Sequence, residues 1–237
     1  MKKAFVAALL IIAAIPFVLA AASLPPHGSP TTPVQTGASA YYLEHGAEEA
    51  GAENIVTDVI LNYRGLDTNG EVTVIFTGFA AAFAVLLPAA LLRKTRAEPA
   101  AQLPPSPVVR FAVRILAPFT ALFAIYVIMY GHISPGGGFQ GGAILGGLFI
   151  VLSAALDPAR IRRLIPEPAG PWLRAAAPIA FVSMGILGVV LTGYYLGFPT
   201  SEALSGVSTG MLIVIEIGIG VGGAAIFAAL FSELEAQ

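Results

Sequence analysis

The chain has 237 residues, 57% of them hydrophobic and only 11% charged, with a formal net charge of -2 and a mean hydropathy of +0.83. Soluble domains carry about 25% charged residues, so this chain cannot coat itself in polar surface, and its slight acidity leaves no basic face for nucleic acid. Cysteine is absent, which excludes disulfides, thiolate-bound zinc and cysteine-bound iron–sulfur clusters within the chain.

Apolar runs of about 20 residues mark bilayer spans, and in chain order the first is Ala4 to Ala22, free of Asp, Glu, Lys and Arg. "MKKAFVAALLIIAAIPFVLAAAS" also has the form of a secretory signal, with two lysines, an apolar stretch and small residues near a cleavage point. Retained, it is the first span; cleaved, it leaves five spans in the same orientation. The segment "SLPPHGSPTTPVQTG" reads as an irregular loop. In "AENIVTDVILNY", Ile55, Val59 and Tyr63 recur at helical spacing with Val56 and Ile60 beside them, one apolar face. About 12 residues cannot cross a bilayer, so this helix is expected along the outer surface or against a partner. Val72 to Leu92 is the second span, and "RKTRAEPAAQLPPSP" a linker.

The tract Ile115 to Leu156 is charge-free and twice the length of a span; divided at "GHISPGGGFQGG", Gly131 to Gly142, it supplies spans three and four. Ala175 to Leu196 is the fifth and Val207 to Phe231 the sixth, with Glu216 as its one charge. The expected fold is all-α: an integral membrane bundle of six transmembrane helices with a short outer interfacial helix. Eleven of the twelve basic residues fall in segments that alternate to one side: Lys2 and Lys3; Arg93, Lys94, Arg96, Arg110 and Arg114; Arg160, Arg162, Arg163 and Arg174. The other side receives Arg64 with Glu44, Glu48, Glu49, Glu53, Asp58, Asp67 and Glu71. By the positive-inside rule both termini are cytoplasmic, in a multi-pass protein of the cell's inner (cytoplasmic) membrane. Trp172, Tyr41, Tyr42, Tyr194 and Tyr195 fall at span ends as interfacial anchors.

The break at Gly131–Gly142, which the topology puts at the outer end of the hairpin between spans three and four, raises a physical problem, because backbone groups freed inside lipid have no water to satisfy them. Pro135 and Gly136–Gly138 suffice for a tight turn. The motif is longer than a turn requires, and His132, Ser134 and Gln140 make it polar enough to line an ion or water path. Its glycines also expose N–H groups near the start of span four, a place that favours an anion or a partner's carboxylate. A serine hydrolase has little support, since no G-x-S-x-G surrounds Ser134, and the glycines lack the Gly-Lys-Ser/Thr of a P-loop. His27 and His45 read as solvated loop residues.

"GHISPGGGFQGGAI" resembles the hallmark of the B subunit of Mrp-type sodium/proton antiporters, the MnhB family, found also in related membrane-bound hydrogenases. The likeness covers roughly 107–237. "ENIVTDVILNYRGLDTNGEVTV" resembles a stretch near the end of the large Mrp A subunit, which membrane-bound hydrogenases carry as a separate, small E subunit. The resemblance implies a fusion: a two-span segment at 1–95, a cytoplasmic linker at 96–106 and a four-span MnhB-like domain at 107–237. The channel-bearing body of the large Mrp protein is missing, so the implied role is that of one subunit, not of a complete transporter.

Two carboxylates stand out. Glu71 opens span two, where a negative charge favours the helix N-terminus; the resemblance matches it to an acidic residue implicated in antiport. Asp67 and Arg64 are close enough to pair and hold the turn before it. Glu216 lies near the middle of span six, where a carboxylate costs several kcal/mol unless protonated, paired or hydrated. No Lys, Arg or His is expected at its depth, so its partner is water, polar backbone or another subunit. Gly218 and Gly222 beside it form a small-xxx-small face for close helix approach. The ion-path candidates are thus Glu71, Glu216, His132, Ser134, Gln140 and Asp67, with Na+ or H+ as the transported ion. No cofactor or catalytic centre is expected in this chain. The expected partners are other Mrp-type membrane subunits, or hydrogenase subunits, and the bilayer. The alternative is a scaffold that seals and positions the pumping subunits without touching an ion.

Overall fold

The structure, a computed structural model, describes residues 2–49, 51–94, 106–156 and 167–235. Most of the expected linker, 96–105, lies outside the described residues, as do Arg96, Arg160, Arg162 and Arg163. The described residues form helices and turns, with no strand among them. They divide into two compact units, 1–44 and 45–237.

The first unit holds α1 (Lys2–Ala22), the short α2 (Pro33–Thr36) and the start of α3 (Ala38–Glu49). After its two opening lysines α1 is apolar and its large side chains are exposed, the condition of a helix that hydrocarbon would surround. The loop expected before Gly37 carries one helical turn, α2. Pro33 opens it, where the N–H that proline lacks would have no partner in any case.

In the second unit α4 (Ile55–Thr57) runs into a π-helical turn, Asp58–Tyr63. The long helices are α5 (Gly65–Lys94), α6 (Pro107–Met129), α7 (Gly138–Ala155) and α10 (Ser205–Glu235), with the short α8 (Gly170–Arg174) leading into α9 (Ala176–Thr192). Ser106 starts α6 by accepting from the Val109 N–H at 3.3 Å, a side-chain cap on a helix whose first residue is Pro107. Among the described residues five helices are long and apolar enough to cross a membrane. They are Lys3–Ala22, Gly65–Val85, Pro107–Met129, Gly138–Ala155 and Glu202–Ser232. The remaining expected span, the fifth, is α9, with 17 residues, at the short end of the range of about 17–25 for a spanning helix.

α10 is the axis of this unit, with Met211, Leu212, Ile215 and Ile219 almost fully buried. It packs on α7 along one side and on α9 along another. The glycine face expected on α10 is the contact with α9. A Cβ on Gly218 would stand 3.0 Å from the Ala176 carbonyl oxygen, and one on Gly222 would stand 3.2 Å from the Ala177 backbone. Only a helix without side chains at these positions can approach so closely.

The short outer helix finds its cover within its own chain. Leu61 is fully buried, in one apolar cluster with Phe181, Leu212 and Ile215, while Val56 remains exposed. At 1.5 Å per residue the 31 residues of α10 extend roughly 46 Å and the 18 of α7 only about 27 Å. Because Gly138, the first residue of α7, meets Glu216, the hairpin between α6 and α7 ends well short of the Ser205 end of α10, and residues 53–57 close over its turn.

Gly218→Leu should separate α9 from α10 at an overpacking cost of about 1–3 kcal/mol. Gly147→Leu, at a glycine with nothing within 4 Å of a built Cβ, should be neutral. Thermal melts of the detergent-solubilised protein, followed by gel filtration, compare the two.

Candidate functional site

The glycines of the Gly131–Gly142 stretch are explained by what they surround. Tyr130 ends α6, and the chain turns through Gly131–Gly137 before α7 starts at Gly138. Gly137 has φ +139°, a backbone conformation that side-chain-bearing residues rarely adopt. Its N–H returns to the Val127 carbonyl at 3.1 Å, closing the turn against the end of α6. The first N–H of α7, that of Gly138, donates to Glu216 Oε2. Glu216 is 1% exposed. A Cβ on Gly131 or Gly137 would lie 3.2 Å from its carboxylate oxygens, so three glycines wall the acid with backbone alone. The second oxygen, Oε1, has no hydrogen-bond partner among the described residues.

The start of a helix presents unpaired N–H groups and the positive end of the helix dipole. The carboxylate expected there as a partner's is this chain's own. The depth separation expected between the turn and Glu216 is absent, because α7 is short enough for its first residue to lie level with the middle of α10. His132, one residue from the wall of the carboxylate, is thereby brought to the same layer.

A second buried acid stands above the turn. Asp58 is 1% exposed and accepts the Ala52 N–H through Oδ1 at 3.1 Å, while Oδ2 has no partner among the described residues. Burial pushes its pKa up from 3.8 to about 6, against the opposing effect of the Ala52 hydrogen bond. Around it residues 52–57 clamp the turn. Asn54 Nδ2 donates to the carbonyls of Gly131 (2.7 Å) and Ser134 (2.9 Å). Thr57 Oγ1 donates to the same Gly131 carbonyl (2.6 Å). The N–H groups of Glu53 and Asn54 both reach the His132 carbonyl, at 3.0 and 3.1 Å. His132 Nδ1 is buried without a partner among the described residues, and its ring stacks on Tyr130 with centroids 6.5 Å apart. Among the described residues, the buried polar side-chain atoms without partners thus belong to Asp58, His132 and Glu216, two acids beside the turn and the histidine within it.

The other expected residues are placed differently. Ser134 Oγ donates to the Tyr130 carbonyl at 3.1 Å, a local turn contact. Gln140 is exposed, with Oε1 3.0 Å from the Cβ position of Gly137. Asp67 pairs with Arg64, 2.7 Å to Nε and 2.6 Å to Nη2. Both side chains are more than half exposed, so the pair contributes only about 0–1 kcal/mol. Glu71 lies exposed on α5 and is not part of the buried cluster. Asp58 is the residue that sequence reasoning passed over, counted as one more outer acid. The available signal was a single acid inside the apolar run "IVTDVILNY", preceded by Asn54 in a capping position.

This fold and site define a class: a multi-pass helical membrane protein with a carboxylate enclosed among its spans. The chain belongs to the family described as "Domain related to MnhB subunit of Na+/H+ antiporter", whose family model matches residues 108–229. Residues 9–106 match the MbhE family, described as the E subunit of MBH. A chain of the archaeal membrane-bound sulfane sulfur reductase, a respiratory membrane complex, is similar over 98% of this chain and 99% of its own length, with 31% identity and a TM-score of 0.72. A chain of the Mrp complex from a Dietzia species shares the fold over 99% of this chain, with TM-score 0.68 and 24% identity. A probable A/B subunit of a K+/H+ antiporter from Rhizobium meliloti is 24% identical over 73% of this chain. The chain spans 26% of the Dietzia chain and 19% of the Rhizobium protein. Both matched segments thus also occur within longer chains.

Asn54→Ala removes two hydrogen bonds to the turn and the cap that Asn54 Oδ1 provides to the Val56 N–H. At about 1 kcal/mol for each hydrogen bond and a similar amount for the cap, thermal unfolding should show a loss of roughly 2–3 kcal/mol. Asp58 has a raised pKa in the folded state, so its ionisation opposes folding as pH rises from about 4 through 6. The melting temperature of Asp58→Asn should therefore gain on that of the unaltered protein between pH 4 and pH 7; parallel curves would contradict this.

Proposed function

We propose that the chain is a membrane subunit of a multi-subunit Mrp-type Na+/H+ antiporter module and contributes to its route for Na+ or H+. The module is either a free antiporter or the antiporter-like arm of a membrane-bound respiratory complex such as a hydrogenase. It stands in the cytoplasmic membrane with both termini inside, beside other Mrp-type subunits. One observation carries the reading: Glu216 is enclosed by backbone, with one oxygen held by the α7 N-terminus and the other without a partner among the described residues. A carboxylate anchored through Oε2 keeps its position while Oε1 takes and releases a proton or a cation. Glu71, Asp67, His132, Ser134 and Gln140 line the outer approach, Glu71 from the surface of α5.

A scaffold role is the second reading, favoured by the clamp of Asn54 and Thr57 on the turn, which ties the two segments together. Mutation separates the two. Glu216→Gln and Glu71→Gln, introduced into the complete complex, should leave its assembly on native gels intact. Each should lower cation-driven proton movement in membrane vesicles by ten-fold or more. Transport at the normal rate in both variants, or its loss only where the complex disassembles, would favour the scaffold.

A further inference from the structure

Asp58 repeats the arrangement found at Glu216. Each acid is 1% exposed, and each has one oxygen held by a backbone N–H, from Ala52 for Asp58 and from Gly138 for Glu216. The second oxygens, Asp58 Oδ2 and Glu216 Oε1, are buried without a hydrogen-bond partner among the described residues. Both of these oxygens face glycine backbone. The Cβ position of Gly46 in α3 lies 3.4 Å from Asp58 Oδ2, and those of Gly131 and Gly137 lie 3.2 Å from Glu216 Oε1. Glycine leaves open, beside a carboxylate, the space that a methyl group would take.

Gly131 joins the two acids. Its carbonyl accepts at 2.6 Å from Oγ1 of Thr57, the residue before Asp58, while its Cβ position borders Glu216 Oε1. The next residue, His132, carries the third such buried atom, Nδ1, and its carbonyl is fixed by the Glu53 and Asn54 N–H groups. Buried polar atoms need hydrogen-bond partners, and internal water, making about three hydrogen bonds, commonly serves them. We infer that Asp58 is a second proton-exchanging carboxylate, joined to Glu216 through water held at His132 Nδ1, in the manner of the acid and histidine chains that relay protons within membranes. The inference rests on the ion-exchange reading of Glu216; it adds an acid to that route and names the ion. Hard cations gather about six or more oxygens, whereas no group of three Asp, Glu or His side chains able to hold a metal ion occurs among the described residues.

A proton on Asp58 Oδ2 passes through water to His132 Nδ1, leaving a carboxylate and an imidazolium. The imidazolium passes a proton through water to Glu216 Oε1 and becomes neutral again. Reloading from the outer side restores Asp58. One proton moves, with no electron and no other bond involved. Burial, which raises the Asp58 pKa to about 6, lets this acid both hold and release a proton near neutral pH. The ionisable side chains on the elements against it are His45 and Glu49 of α3, beside Gly46, and Tyr63 and Arg64 at the end of its own turn. Tyr63 donates to Glu49 at 2.8 Å, and Arg64 pairs with Asp67.

The test uses the complete complex. Infrared difference spectra taken on either side of the Asp58 pKa of about 6 should contain a protonated-carboxyl C=O band from this residue. Loss of the band in Asp58→Asn, or its displacement in Asp58→Glu, assigns it. In the unaltered complex the band should shift promptly on transfer to D2O, because water reaches Oδ2. A band that D2O leaves in place would overturn the inference. In membrane vesicles Asp58→Asn, whose amide oxygen can still accept the Ala52 N–H, should assemble normally and lower cation-driven proton movement by about ten-fold, as should His132→Ala. A normal rate in Asp58→Asn beside an inactive Glu216→Gln would overturn the relay and leave the reading of Glu216 intact. Normal rates in both would overturn that reading and the relay with it.

Discussion

A carboxylate surrounded by apolar helices has to be provided for by its own protein, and the way this chain provides for Glu216 organises much of the rest. The donor is the first N–H of a helix, which needs a partner as much as the acid does, so each group removes the other's penalty. For the two to meet, the turn between α6 and α7 must end level with the middle of α10. That accounts for the shortness of α7, and for glycines at 131, 137 and 138, where any Cβ would press on the carboxylate or on the α10 backbone. It accounts also for the segment 53–57. A turn sunk below the end of α10 exposes carbonyls at Gly131, His132 and Ser134, and it is residues 53–57 that satisfy them.

The enclosure leaves a mixed electrostatic account. Among the described residues, the bonds that anchor the two buried acids come from backbone N–H groups, those of Ala52 and Gly138, and not from lysine or arginine. A cationic partner would fix each charge permanently. A single dipolar donor holds position and leaves the protonation state open to change, which suits a group that exchanges an ion. The π-helical turn at Asp58–Tyr63 is in keeping with this, since such wide turns recur at functional sites.

Much of the fold was legible because bilayer physics leaves few choices. Apolar length and the alternation of Arg and Lys delimited the long helices, and the glycines at 218 and 222 marked a close contact. What linear pattern did not carry was depth. Reading the glycine motif as the outer tip of a hairpin placed it far from Glu216, since helix lengths measured from sequence do not reveal how one helix is offset along another. The same limitation hid Asp58. Its neighbours Ile55 and Val59 read as one face of a surface helix, and only the tertiary offset turns that face into the lid of the buried turn. Glu71, conspicuous in sequence at the start of span two, lies outside the cluster, so conspicuous position and burial separate here.

The hydrogen bonds from Asn54 and Thr57 to Gly131 join a segment of the hydrogenase-E type to one of the MnhB type. Where those two segments are distinct polypeptides, that seam must be found by diffusion and kept by affinity. Here it is intramolecular, closed at an effective concentration set by the connecting stretch rather than by expression level. Covalent continuity thus guarantees equal numbers of the two halves. It also allows the polar seam above Glu216 to be built from a few hydrogen bonds, too few to hold independent proteins together.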